Sequence, residues 1–122
     1  MESIVRCKKC GKELTKPLRP VADAFVADFP DGANTVPQGF YWIADDSNAD
    51  AIIGHVLIHL DDRINMKDHP DYRRHNGCCG EDGCDGPNQI CKCGSEVATV
   101  VSDCWTSYYV HFEPDHTILD SL

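Results

Sequence analysis

The residues of this chain best suited to chemistry are its cysteines, of which there are 8 among 122 residues. Two pairs stand at short spacing, Cys7 with Cys10 and Cys91 with Cys93, and a glycine directly follows each pair. Sulfurs this close along a chain bridge one another poorly, whereas a tight turn can present both of them to one metal ion. The spacing therefore favours thiolate ligands over a disulfide framework and predicts a structural zinc site formed by these four cysteines.

The other four cysteines lie in or near a segment rich in glycine-containing turns, between residues 76 and 105. They predict a second zinc site drawn from Cys78, Cys79, Cys84 and Cys104, with His69 and His75 as further candidate ligands. Two alternatives stay open, because Cys104 could be a small core residue beside Trp105, and Cys78 or Cys79 could replace a ligand of the first site. The sequence thus predicts one zinc ion and allows two.

Catalytic chemistry finds little support in the histidines. His55 and His59 have the spacing of the two zinc ligands on a metalloprotease helix, but the glutamate that should follow the first histidine is absent. The intervening Val-Leu-Ile also favours a strand over a helix. A site filled by four sulfurs leaves no position for water or substrate. We therefore expect no catalytic residue and no enzyme activity, with His55 and His59 on a solvated strand face.

The elements that must position these residues are predicted to be mostly β, with short strands, long loops and little helix, an α+β fold being the alternative. Apolar and aromatic runs predict strands at 4–6, 40–43, 55–61, 96–102 and 107–113, with 11–14 as the return leg of a hairpin. In the third of these strands Val56, Ile58 and Leu60 alternate with outward positions, which predicts a half-buried strand. Proline and glycine predict extended loop over 16–39. The length fits one zinc-binding domain over residues 1–122.

Each close cysteine pair, with the glycine after it, resembles a zinc knuckle. Together the pairs resemble the zinc-ribbon family, in which knuckles on two hairpins share one zinc ion, and the matching positions are Cys7, Cys10, Cys91 and Cys93. Here 80 residues separate the two pairs, and the second has the shorter Cys-x-Cys spacing. The segment 76–105 is also similar to a cysteine-rich motif of small bacterial proteins, a resemblance that implies lineage and brings no activity with it.

The charge of the chain bears on its partners. The formal net charge is −9, from 11 lysines and arginines against 20 aspartates and glutamates. Nucleic-acid binding relies on basic residues that displace counterions, so this charge disfavours a nucleic-acid partner and favours a basic protein. No apolar stretch is long enough to span a membrane, and the amino terminus shows no export signal, so we expect a cytoplasmic protein.

Three functional hypotheses follow from these observations. The leading one is a non-catalytic, zinc-binding acidic domain that binds a basic protein, for example an immunity protein or antitoxin that inhibits a toxin. The second is a metal-dependent accessory enzyme or metal-handling protein with an incompletely filled, open zinc site. The third is a nucleic-acid-binding zinc ribbon, whose basic cluster would be Lys8, Lys9, Lys12, Lys16 and Arg19.

Overall fold

The computed structural model describes residues 2–45 and 52–122, and within these ranges the chain is built from short strands and contains no α-helix. The prediction of a mostly β fold is confirmed. The described strands are β1 (Ser3–Cys7), β2 (Arg19–Pro20), β3 (Phe40–Ile43), β4 (Val56–Ile58), β5 (Met66–Asp68), β6 (Gln89–Cys91), β7 (Glu96–Val101), β8 (Tyr109–Phe112) and β9 (Thr117–Ser121). Short 3-10 turns occupy Leu60–Asp62 and Tyr72–Arg74. In the described ranges, no helix has the length and apolarity needed to cross a membrane.

The strands form two sheets. Seven of them form one sheet in the order β2-β3-β4-β8-β7-β6-β5, in which only the β2–β3 pair is parallel, while β1 pairs with β9 in a separate antiparallel ribbon. The predicted hairpin return at 11–14 is present but slight, since it contributes a single bridge, between Arg6 and Glu13. The main partner of β1 is therefore the carboxyl-terminal strand, which pairs with it from Ser3 opposite Ser121 to Cys7 opposite Thr117.

Strand β4 differs from its prediction. It ends at Ile58 and gives way to a 3-10 turn, and the neighbours Leu57 and Ile58 are both 0% exposed. Because β4 lies between β3 and β8 and both faces of the sheet are covered, successive side chains enter two different cores. The half-buried alternation predicted over 55–61 was therefore wrong: the strand is short and buried on both faces.

The two cores lie on opposite faces of the seven-stranded sheet. On one face, residues of β6, β7 and β8 pack against β1 and the buried Leu14 and Leu18. On the other face, Leu57 and Trp42 pack under the loop of residues 21–36, which contributes Phe25 and Phe29. The predicted extended character of 16–39 is confirmed apart from β2, and this loop acts as the cover of the second core.

The β6–β7 hairpin has an irregular register, and a buried side-chain amide supplies the hydrogen bonds that the irregularity removes. The register shifts between Gln89 and Ile90, and the side chain of Asn88, which is 0% exposed, donates to the carbonyl of Val100 and accepts from its N–H. A buried backbone group without a hydrogen-bond partner destabilises the fold. The two hydrogen bonds of Asn88 therefore stabilise this hairpin, whose turn carries Cys91 and Cys93.

Candidate metal centre

The structure brings the two close cysteine pairs together. Cys7 ends β1 and Cys10 lies in the turn after it, while Cys91 ends β6 and Cys93 lies in the turn before β7. Sγ of Cys7 lies 3.6 Å from Sγ of Cys93, and Sγ of Cys10 lies 3.5 Å from Sγ of Cys91. All four sulfurs lie within 4.8 Å of one another, so these cysteines, which we call the four-sulfur group, could hold a metal ion.

The local backbone explains how each pair presents its sulfurs. Gly11 and Gly94 have φ angles of 77° and 92°, in the left-handed region that glycine adopts without strain. Each glycine N–H donates to the carbonyl of the first cysteine of its pair, at 2.8 Å in both turns. Two tight turns, of which the second is one residue shorter, thus form the knuckles that the Cys-Gly spacing predicts.

The sulfur positions agree with tetrahedral coordination. Metal–sulfur bonds of ~2.3 Å at tetrahedral angles place ligand sulfurs about 3.8 Å apart. Burial raises the pKa of the Cys91 thiol, whereas a hydrogen bond from the backbone N–H of Ser95 lowers the pKa of Cys93. A coordinated thiol is deprotonated outright, so an ion would convert even the buried Cys91 into a thiolate.

Three of the remaining four cysteines lie close together in the structure. Cys78, Cys79 and Cys104 form a second group within 4.8 Å, but Cys79 and Cys104 are joined in a disulfide between Cα atoms 5.7 Å apart. In this oxidised form neither sulfur is a thiolate, so these three residues could bind an ion only after reduction. Cys84 lies outside both groups and is exposed. Its thiol donates to the carbonyl of Asp82.

The loop that carries Cys78 and Cys79 is held by a carboxylate. Asp103 accepts hydrogen bonds from the backbone N–H groups of Cys78 and Cys79, at 3.1 Å each, and of Cys104, at 2.7 Å. These backbone donors lower the pKa of Asp103, those of Cys79 and Cys78 most strongly. The turn-rich segment is thus tied to the residues after β7 through protein contacts.

The two histidines proposed as further ligands point to carboxylates. Nε2 of His69 lies 2.7 Å from the carboxylate of Glu96, which also pairs with Arg74 at 3.0 Å. Nδ1 of His75 pairs with Glu81, and the hydrogen bond to this carboxylate raises the pKa of His75. In the described parts of the chain, His75 groups with Asp68 and Glu81 and not with the cysteines.

A fourth group of possible ligands, among the described residues, was not predicted from the sequence. Nδ1 of His55 lies 3.0 Å from Nδ1 of His111, and Glu113 offers a carboxylate oxygen within 4.8 Å of both imidazoles. His55 is half-buried and faces another histidine, so its placement on a solvated face was wrong. The alternation of side chains along β8 indicates that His111 and Glu113 lie on one face. No local sequence pattern, however, indicates that β8 pairs with β4, which lies more than fifty residues earlier and is preceded on that face by His55.

The acidic charge is unevenly distributed. Between Pro20 and Asp62 the chain holds no lysine or arginine but carries acidic residues at Asp23, Asp28, Asp31, Asp45, Asp46, Asp50, Asp61 and Asp62. In the same region an open apolar cavity of about 370 Å³ is lined by Val21, Ala22, Ala24, Phe25, Pro37 and Phe40. A neighbouring hollow shares Val21, Ala22 and Phe25 and adds Asp23, Asp45, Trp42 and Ile43. We call these two hollows together the acidic groove.

Comparison with known proteins gives no family for the chain. No protein-family model matches it, and neither a curated protein nor a solved structure does so. The likeness to zinc ribbons therefore rests on the two knuckles alone.

Proposed function

We propose that Cys7, Cys10, Cys91 and Cys93 bind one zinc ion in a closed structural site. The observation that carries this proposal is the convergence of four sulfurs from two glycine-terminated turns, which 80 residues separate along the chain. Four cysteine ligands in a tetrahedral arrangement are typical of structural zinc, and they leave no open position for substrate. In this respect the site resembles a zinc ribbon, with a large part of the chain inserted between the knuckles.

Native mass spectrometry of protein purified without chelator tests the zinc site. We expect one tightly held zinc in the parent protein, its loss in the Cys10→Ser variant, and its retention in the Cys84→Ser variant. The two variants form a matched pair, because both cysteines are exposed and only Cys10 belongs to the four-sulfur group. Retention of the zinc in Cys10→Ser, or a zinc-free mass that shows disulfides in addition to Cys79–Cys104, would contradict the proposal.

The domain that this zinc stabilises is proposed to bind a basic protein through the acidic groove. The groove combines an apolar floor, which suits an inserted apolar side chain, with Asp23 and Asp45 at its margin. The segment from Pro20 to Asp62 contains no lysine or arginine, so complementary charge would steer a basic partner to it. An inhibitor of a basic enzyme, such as an immunity protein or antitoxin, is the class of protein that fits these properties.

A pair of synthetic peptides tests the groove without knowledge of the natural partner. One peptide carries a Phe-Leu core flanked by lysines, and the other carries the same core flanked by glutamates. Calorimetry should detect salt-sensitive binding of the lysine peptide alone. Asp23→Asn combined with Asp45→Asn should weaken it severalfold, since exposed ion pairs each contribute about 0.2–1 kcal/mol.

The control for charge removal is Asp85→Asn combined with Asp115→Asn, which removes two exposed carboxylates outside the groove. This variant should bind the lysine peptide as the parent does. Equal binding of both peptides, or equal weakening in both double variants, would show that the groove does not recognise a basic partner.

A further inference from the structure

A second kind of possible ligand group lies on the opposite face of the large sheet from the four-sulfur group. Leu57 pairs with His111 across β4 and β8, and Leu57 belongs to the core that the loop of residues 21–36 covers. Cys7, Cys91 and Cys93 instead belong to or pack against the core on the other face. Side chains two residues apart on a strand share a face, so His55, His111 and Glu113 gather on the Leu57 side.

The register of the two strands accounts for this gathering. In the antiparallel pair Leu57 is opposite His111 and Ile58 is opposite Val110, so extending the register by two residues places His55 opposite Glu113. His111 lies in β8, while His55 and Glu113 lie directly beyond the ends of β4 and β8 on the same face. Side chains in this arrangement lie close enough to bind one metal ion together.

We propose that His55, His111 and Glu113 bind a divalent first-row transition metal ion. Two imidazole nitrogens and a carboxylate oxygen are a ligand set that suits zinc and its neighbours, and the 3.0 Å between the two Nδ1 atoms is close to the ~3.3 Å expected for adjacent nitrogen ligands of a tetrahedral ion. His111 is 9% exposed, so the packing around it holds its imidazole in place within the group.

The coordination at this site would be incomplete. Among the described residues, the group contains three ligand-bearing side chains and no more, so a tetrahedral ion would keep one position for water or an exogenous ligand. His55 and Glu113 are only half-buried, which leaves the ion accessible from solvent. Such an open site is distinct from the closed thiolate site in both ligand type and reactivity.

Cobalt spectroscopy distinguishes this site from the sulfur sites. The protein, with its thiolates occupied by zinc and weakly held ions removed by citrate, is titrated with Co²⁺. We expect visible d–d bands of a nitrogen- and oxygen-ligated ion without the near-ultraviolet charge-transfer band of a cobalt–thiolate bond. Paramagnetic shifts of the His55 and His111 ring protons should appear in step with these bands.

Three variants test whether His55 and Glu113 are ligands of the cobalt ion. His55→Ala and Glu113→Gln, which alter half-buried side chains, should each weaken cobalt binding by more than the roughly 10–100-fold that loss of an outer-shell partner costs. His59→Asn should bind as the parent does, because it removes a histidine outside the group while keeping a side-chain acceptor for the N–H of Asp61. Unchanged binding in His55→Ala and Glu113→Gln, or no cobalt binding by the parent, would establish that the two histidines share only a hydrogen bond.

Discussion

His75 shows how a single side chain secures the turn-rich segment. Its Nδ1 pairs with the carboxylate of Glu81, and its Nε2 donates to the carbonyl of His69 at 2.8 Å. An imidazole that donates from both nitrogens is best satisfied as the cation. This arrangement agrees with the raised pKa of His75, for which the hydrogen bond to Glu81 is the largest cause.

The stability of the protein should therefore depend on the protonation of His75. Because its pKa is higher in the folded than in the unfolded state, its stabilising contribution is complete below the unfolded value of ~6.5 and is lost as the pH rises through the folded value. Urea denaturation at several pH values should show that the free energy of unfolding decreases as the pH rises. Nuclear magnetic resonance titration should give a lower pKa for His75 in Glu81→Gln than in the parent. In this variant the free energy of unfolding should also fall less as the pH rises.

The control is Asp85→Asn, at an exposed position, which should change neither the pKa of His75 nor the pH dependence of stability. An unchanged pKa of His75 in Glu81→Gln would contradict the assignment.

At the scale of elements, the knuckles were predictable and most of the strand pairing was not. Cysteine spacing and a following glycine act within a few residues, so the sequence alone indicated both turns and the grouping of their sulfurs. The β1–β9 ribbon and the β4–β8 pair join distant segments, and no local pattern encodes which strands become neighbours. The disulfide between Cys79 and Cys104 was missed for the same reason, since it depends on where the β7–β8 connection lies.

Strand β4 offers a direct test of burial on both faces. Leu57→Ala and Ile58→Ala should each destabilise the protein by about 2–5 kcal/mol, because each removes a fully buried side chain from a different core. A half-buried strand would instead give a large cost at one position and a small cost at the other. Ile43→Ala, at a 46% exposed position on the adjacent strand, serves as the control and should cost far less. Chemical denaturation measures all three.

The second knuckle should depend on the backbone freedom of Gly94. Its φ is 92° and a Cβ atom added to it would meet no neighbour within 4 Å, so the effect of an added Cβ arises from backbone strain and not from a clash. Gly94→Ala should cost about 1–2 kcal/mol of stability and release zinc to a competing chelator more readily. Gly94→Asn should be milder, because asparagine tolerates left-handed backbone. Equal behaviour of the two variants would show that the turn relaxes to an ordinary conformation.

At the scale of the whole molecule, the four-sulfur group connects two parts of the fold that share a core. Cys7 and Cys10 belong to the end of the β1–β9 ribbon, and Cys91 and Cys93 belong to the β6–β7 hairpin of the large sheet. Val5, Leu14 and Leu18 on the ribbon side are buried against Val97 and Phe112 of that sheet. An ion bound there would hold together the two sheets that enclose this core.

Removal of the ion should therefore loosen the ribbon before the far side of the large sheet. Metal binding stabilises only the folded state, so a strong chelator should lower Tm and raise amide hydrogen exchange. The increase should appear first in β1, β9 and the turn at Cys91–Cys93, while β3 and β4, whose Trp42 and Leu57 pack in the other core, should exchange later. Cys10→Ser should reproduce this pattern without chelator, and Cys84→Ser should not. A uniform rise in exchange over all strands would mean that the two cores unfold as one unit, whereas no rise at all would mean that the four cysteines hold no stabilising ion.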